Sequence, residues 1–161
     1  MPITTTTNID YLIETLRFQL GDTDSAAYRY TDEWLRTALV TSVKAMQRWW
    51  RDRYLVDTAT YDVSRNPDYI FDFDEPNVIQ DKDERPVVLM ASILVKSGQL
   101  EANSWGVGSW RDAEISVSNI ESGRVKEFSL KMDWDELQGY ISMPKKQLFG
   151  AVRLSIPDAE E

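Results

Sequence analysis

Apolar residues at positions 9, 12, 13, 16 and 20 recur at three- and four-residue spacing: Ile9, Leu12, Ile13, Leu16 and Leu20. That rhythm predicts a first helix over 8–20 with one apolar face, and Gly21 stands where a left-handed C-terminal cap belongs. Tyr11 and Phe18 project from the opposite face, either tucked under a loop or aimed at another subunit. Residues 1–7, with four threonines in a row, offer little to bury and are expected to be disordered.

After the connecting stretch "GDTDSAAYRY", Thr31 has the character of an N-cap, with Asp32 and Glu33 in the first turn, where carboxylates favour the positive end of the helix dipole. Leu35, Ala38, Leu39, Met46 and Trp49 share a face, with Val43 and Trp50 at its edge. Arg48, Arg51 and Arg53 suit the negative end, so the second helix is expected over about 31–53. Thr58, Thr60, Tyr61 and Val63 favour strand, "SRNPD" favours a turn, and Tyr69, Phe71 and Phe73 alternate beyond it. This predicts a β-hairpin over about 54–73, followed by a loop, "DEPNVIQDKDERP".

Pro86 suits a first helical turn, and "VVLMASILV" (87–95) is apolar on every side, as in a helix buried on most faces. A buried strand has the same pattern; Met90, Ala91 and the proline start favour the helix. Gly98 either ends it or lies inside a helix that runs to about 102. "NSWGVGSWRD" reads as a loop. Ile115 and Val117, then Phe128, Leu130 and Met132, alternate around "ESGR", which predicts a second hairpin over about 113–132. Asp133 and Glu136 stand in capping-box spacing for a short helix from 133 to about 142, broken near Pro144. Val152, Leu154 and Ile156 alternate with Arg153 and Ser155, either as a closing strand or as a tail that pairs with another protein's sheet edge; the preceding break and Pro157 favour the tail.

The fold expected is therefore mainly α with β-hairpin insertions, an α+β chain. It is a small helical bundle of three long helices, two β-hairpins, a short C-terminal helix and an extended C-terminal tail. One domain over 8–143 follows the 1–7 segment, and 144–161 form a separate C-terminal segment.

Composition narrows the function. A length of 161 residues with 42% apolar content suffices for one cored domain. A net charge of -9 opposes tight non-specific nucleic-acid binding, and that weighs against a nucleic-acid reading of "MQRWWRDRY", where arginines alternate with aromatics. An acidic wall past which DNA slides remains compatible with it. There is no cysteine and no histidine, which removes disulfides, thiolate chemistry, the commonest general base and the commonest transition-metal ligand. No stretch approaches a membrane span, and "MPITTTTNID" lacks the regions of a signal peptide, so a soluble intracellular protein is expected.

Candidate chemistry is sparse. The carboxylates of "DFDEP" and "DKDE" lack the fixed spacing and turn glycine of a calcium loop and read as solvated loops. No carboxylate pair stands out for acid/base work, and "GVG" matches neither dinucleotide nor Walker patterns. No catalytic residue, metal site or cofactor is expected. The six tryptophans point elsewhere, since large aromatics fill cores and also anchor interfaces. Trp105 and Trp110 flank a flexible turn or pack on a neighbouring chain.

The order of helix, "LGDTD" loop, "YTDEWLRTAL" helix, aromatic hairpin and apolar third helix resembles the head-tail connector (adaptor) proteins of tailed bacteriophages. The residues that carry the resemblance are Leu20, Gly21, Asp22, Asp24, Tyr30, Thr31, Asp32, Glu33, Leu35, Ala38 and Leu39, and it extends over roughly residues 8–100. The chain departs from the family in the length of its 54–73 hairpin and in the β content expected over 113–132. The resemblance implies a structural, non-enzymatic virion protein, made in the host cytoplasm and located at the neck. There a ring of about twelve copies would dock on the portal and join downstream neck or tail proteins, with genomic DNA passing through the channel unbound.

It also implies a portal-reaching C-terminal segment, here Lys145, Lys146, Leu148, Phe149, Val152, Leu154 and Ile156. Tyr11, Phe18, Tyr28, Trp34, Trp105 and Trp110 are then the expected subunit contacts, while Tyr30 reads as a hydrophobic staple before the N-cap. The alternative is a cytosolic module whose aromatic hairpins hold a ligand or peptide.

Overall fold

The computed structural model describes residues 2–71, 75–107 and 127–141. A 3-10 turn at Asp10–Leu12 leads into helix α1, Ile13–Leu20, which ends on Gly21 in the left-handed conformation (φ 69°). The predicted helix over 8–20 is thus a short α-helix with a tightened start, not a long one. The start is tight because Asp10 turns back: its Oδ1 accepts from the Thr7 amide and hydroxyl at 3.1 and 2.7 Å.

Residues 2–7 correct the expectation of disorder. Ile3 joins the core, its amide donates to Thr37 Oγ1 at 2.8 Å, and the buried Arg36 guanidinium donates to the Ile3 carbonyl while pairing with Asp10. The threonine run obscured a single isoleucine with a pocket to fill.

Helix α2 spans Asp32–Trp50, with Thr31 as its N-cap. Leu35, Ala38, Leu39, Val43 and Met46 are buried as the spacing predicts. The helix stops short of 53 because Arg51 and Asp52 both take positive φ (50° and 57°), which reverses the chain. Arg53 then faces back, donating to Asp83 at 2.7 Å and lying over the rings of Trp50 and Tyr69.

The hairpin is smaller than 54–73, and its turn lies earlier. Strand β1 (Tyr54–Val56) pairs antiparallel with β2 (Val63–Arg65) in the register Leu55 to Ser64. Asp57 Oδ1 accepts from the amides of Ala59 and Thr60 at 2.6 and 3.1 Å, so an Asx-type turn overrides the strand preference of Thr58 and Thr60. Ser64 and Arg65 of "SRNPD" belong to β2, and only its end turns, after the strand, where Asn66 Oδ1 accepts from the Asp68 amide. Tyr69 and Phe71 follow with their rings edge to face rather than as strand residues. The hairpin's outer edges meet side-chain amides. Asn8 accepts from Val63 N and donates to Val63 O, and Gln47 donates to Tyr54 O.

Helix α3 runs Asp81–Val107. It begins before Pro86, so the "DKDE" carboxylates are its first turn and not a loop, and the proline is interior. Gly98 is interior too, and the loop expected from 103 is helical as far as Val107.

Residues 127–141 form helix α4. The part of the expected second hairpin over 127–132 is therefore helical; the rest lies outside the described residues. The alternation of Phe128, Leu130 and Met132 concealed a helical stripe of Leu130, Leu137 and Ile141. Asp133 is accordingly a buried interior residue, not an N-cap.

Two apolar clusters result. The larger joins α1, α2, the hairpin and the first half of α3 around Leu16, Leu39, Tyr54 and Val88. The smaller seats Leu137 of α4 against Met46, Leu89 and Ile93. The described residues are thus mainly helical with one two-stranded antiparallel sheet, an α+β arrangement.

Candidate interaction surface

The stretch "LGDTDSAAYRYTDE" is built around one carboxylate. Asp22 is 3% exposed; its Oδ1 accepts from the Arg29 amide at 2.8 Å, and its Oδ2 accepts from Arg17 Nη1 at 2.7 Å. Arg17 also reaches Asp32 in the first turn of α2. A short polar chain from α1 to α2 therefore fixes the loop that carries Tyr28 and Tyr30. Asp24 makes a smaller turn inside it by accepting from the Ala26 amide. The aspartates at this spacing thus act as loop architecture.

The aromatic residues divide between core and surface. Tyr30 is half-buried against the cluster containing Leu35, as a staple residue should be, and burial pushes its phenol pKa up. Tyr28 is 41% exposed with the Arg17 guanidinium 3.7 Å from its ring centroid, and Trp34 is 57% exposed. On α1, Phe18 is 78% exposed. Tyr11 is only half out; burial and then the neighbouring Glu84 carboxylate hold its proton on. Trp105 falls in the last turns of α3. Trp110 and the expected portal-reaching residues Lys145, Lys146, Leu148, Phe149, Val152, Leu154 and Ile156 lie outside the described residues.

Beside Trp34 the antiparallel helices α2 and α3 part. A groove of about 610 Å³ opens there, lined by Tyr30, Trp34, Ala38, Leu94 and Val95, with Arg29 at its rim. Nothing in the sequence announced it. Each lining residue conforms to its own helix, and the groove is a property of how two helices separate.

Sequence reasoning also missed the seat of α4. Asp133 Oδ2 accepts from Ser92 Oγ at 2.7 Å and from Lys96 Nζ at 2.6 Å, and Oδ1 accepts from Gln19 Nε2 at 2.9 Å. Arg85 adds a two-pronged contact to Glu136. Ser92 and Lys96 are one turn apart, as in a nucleophile-base pair. However, Ser92 is fully buried and both donors are occupied by the carboxylate. The group holds a helix in place and has no opening for a substrate.

Among the described residues, no set of three acidic, histidine or cysteine side chains is placed to hold a metal ion, and no helix is long and apolar enough to cross a membrane. No family model, curated protein or solved structure matches this chain.

Proposed function

We propose that this chain is a structural head-tail connector (adaptor) of a tailed bacteriophage, acting as a ring that docks on the portal and joins the capsid to the tail. The observation that carries the reading is the pair Tyr28 and Trp34, which both stand out of the core, Tyr28 on a loop held by the buried Arg17–Asp22 ion pair and Trp34 in the first turn of α2. Rigid exposed aromatics are economical contact residues, since they bury large area with few rotors to freeze. The resemblance at Leu20–Asp24 and Tyr30–Leu39 supports the same reading. In it, the C-terminal segment 144–161, which lies outside the described residues, is assigned to portal contact, and part of the acidic surface lines a channel for DNA.

The test is direct. The purified chain is mixed with purified portal rings and imaged by electron microscopy. A coaxial second ring is expected; portal rings that remain bare at saturating chain concentration overturn the proposal.

The groove favours a second reading, a ligand- or peptide-binding module, since its volume falls in the range of about 300–1,000 Å³ typical of small-molecule sites. Native mass spectrometry of the purified chain, with a bound small molecule that an Ala38→Trp variant loses, would favour it.

A further inference from the structure

The chain carries two apolar surfaces that face away from each other. Helix α3 meets α4 through Arg85, Leu89, Ser92 and Lys96, a single stripe at helical spacing. The groove takes Leu94, Val95 and Gly98 from the same helix. At 3.6 residues per turn these two sets lie about 140° apart around α3. Helix α4 repeats the division. It turns Leu130, Asp133 and Leu137 inward, which leaves Phe128 and Met132, 65% and 58% exposed, on its outer side with Gly139. A recess thus opens on one side of the molecule and an apolar ridge stands on the other.

We propose that the ridge of one copy, Phe128 and Met132 of α4, fills the α2/α3 groove of the next copy in a head-to-tail contact. One charge pairing fits the contact. Arg29, which lines the groove, makes no ion pair among the described residues, and Asp135 lies between Phe128 and Met132 and the exposed Lys131 on the outer side of α4, within reach of that arginine. The self-contact is heterologous: groove and ridge are different surfaces, so each copy engages two neighbours, and rotation per step decides whether a ring closes. Trp34, in the groove wall, becomes the aromatic against which the ridge packs. The inference rests on the self-assembly part of the function proposed above and adds the surfaces that meet.

The absence of cysteine makes the test clean. Thr41→Cys marks the groove and Met132→Cys marks the ridge, both at exposed positions. The two single variants are mixed, alone and on portal rings, and treated with a short bis-maleimide. A covalent dimer of the mixture is expected, with neither variant linking to itself, and the double variant should give a ladder. Adding Phe128→Glu, a surface change whose fold is checked by circular dichroism, should lower the yield at least tenfold.

Absence of the mixed dimer, or equal self-linking of a single variant, overturns the inference. Imaging separates it from the ring reading. Coaxial rings without the Thr41–Met132 link sink the surfaces alone. The link without rings on the portal sinks the connector function alone.

Discussion

Arg17 and Asp22 are five residues apart in sequence and 2.7 Å apart in space, and each is only 3% exposed. One belongs to the last turn of α1 and the other lies just past its glycine cap. The pair holds the loop to α2 by a charge-assisted bond shielded from water. Removing Asp22 strands a buried guanidinium with only the exposed Asp32 as a partner, and frees the Arg29 amide. Asp22→Ala should therefore cost about 3 kcal/mol, near the low end for breaking a buried pair because Asp32 remains. Chemical denaturation measures it; a loss under about 1 kcal/mol would mean the pair is not what fixes the loop.

Asp133 has the same role for α4. Asp133→Ala leaves the largely enclosed Lys96 without its carboxylate, and should release α4 before the rest of the chain unfolds. Hydrogen exchange over 127–141 should accelerate at least tenfold while α2 keeps its protection. Uniform acceleration across the chain would show instead that α4 and the main core unfold as one unit.

Tyr54 is fully buried, donates from its hydroxyl to Asp83 at 2.7 Å and accepts from the Gln80 amide at 3.0 Å. Burial foremost, then the bond to Asp83, keeps the phenol protonated far into alkali. Tyr54→Phe keeps the ring packing against Trp50 and Phe71 and removes only the hydroxyl. A loss of about 1–3 kcal/mol is expected by thermal unfolding; a neutral result would show that the start of α3 does not depend on this bond.

Two carboxylates should give opposite pH responses. Burial pulls the Asp10 pKa up, but hydrogen bonds from Arg36 and Thr7 outweigh it, and the folded value lies below 3.8. The stability Asp10 contributes is present above the unfolded pKa near 4 and is lost as pH falls through the folded value. Glu84 is shifted upward, by burial first and then by Asp81 against the opposing bond from Tyr11. Its ionised form is disfavoured in the fold, so its contribution is lost as pH rises through the folded value above 4.5. Asp10→Asn should therefore destabilise at pH 7 and lose that effect in acid. Glu84→Gln should raise the melting temperature at pH 7 and lose its advantage below about pH 4.5. Parallel shifts for the two variants across pH would refute the assignment.

Trp34→Ala should leave the melting temperature almost unchanged, since the side chain is mostly in solvent and surface changes stay within about 0.5 kcal/mol. The same variant should form rings on the portal at least tenfold less well. Normal ring formation would remove Trp34 from the contact.

Some local signals were readable from single residues, although Pro86 and Asp133 were not among them. Thr31 capped α2, Gly21 ended α1, and the α2 core face from Leu35 to Met46 followed from spacing alone. What sequence could not supply was partner choice across the fold. Arg17, Arg36, Asp83 and Asp133 have the composition of surface residues, yet all are buried, because a charge can enter a core only when a distant residue arrives to meet it. The α4 stretch shows the limit of periodicity. Over five residues, Phe128–Leu130–Met132 satisfies a two-residue period, and only Leu137 and Ile141 further along reveal the helix. The groove is further still from the sequence, being set by the separation of α2 and α3.

The carboxamides of Asn8 and Gln47, at the two outer edges of the hairpin, have a consequence for solubility. Asn8 satisfies both main-chain polar groups of Val63 as a neighbouring strand would, and Gln47 covers the Tyr54 carbonyl on the far side. Foreign backbone finds these three groups already occupied, so strand addition there would first have to displace a carboxamide. Contacts with other molecules at these rungs are thereby left to side chains rather than to the main chain.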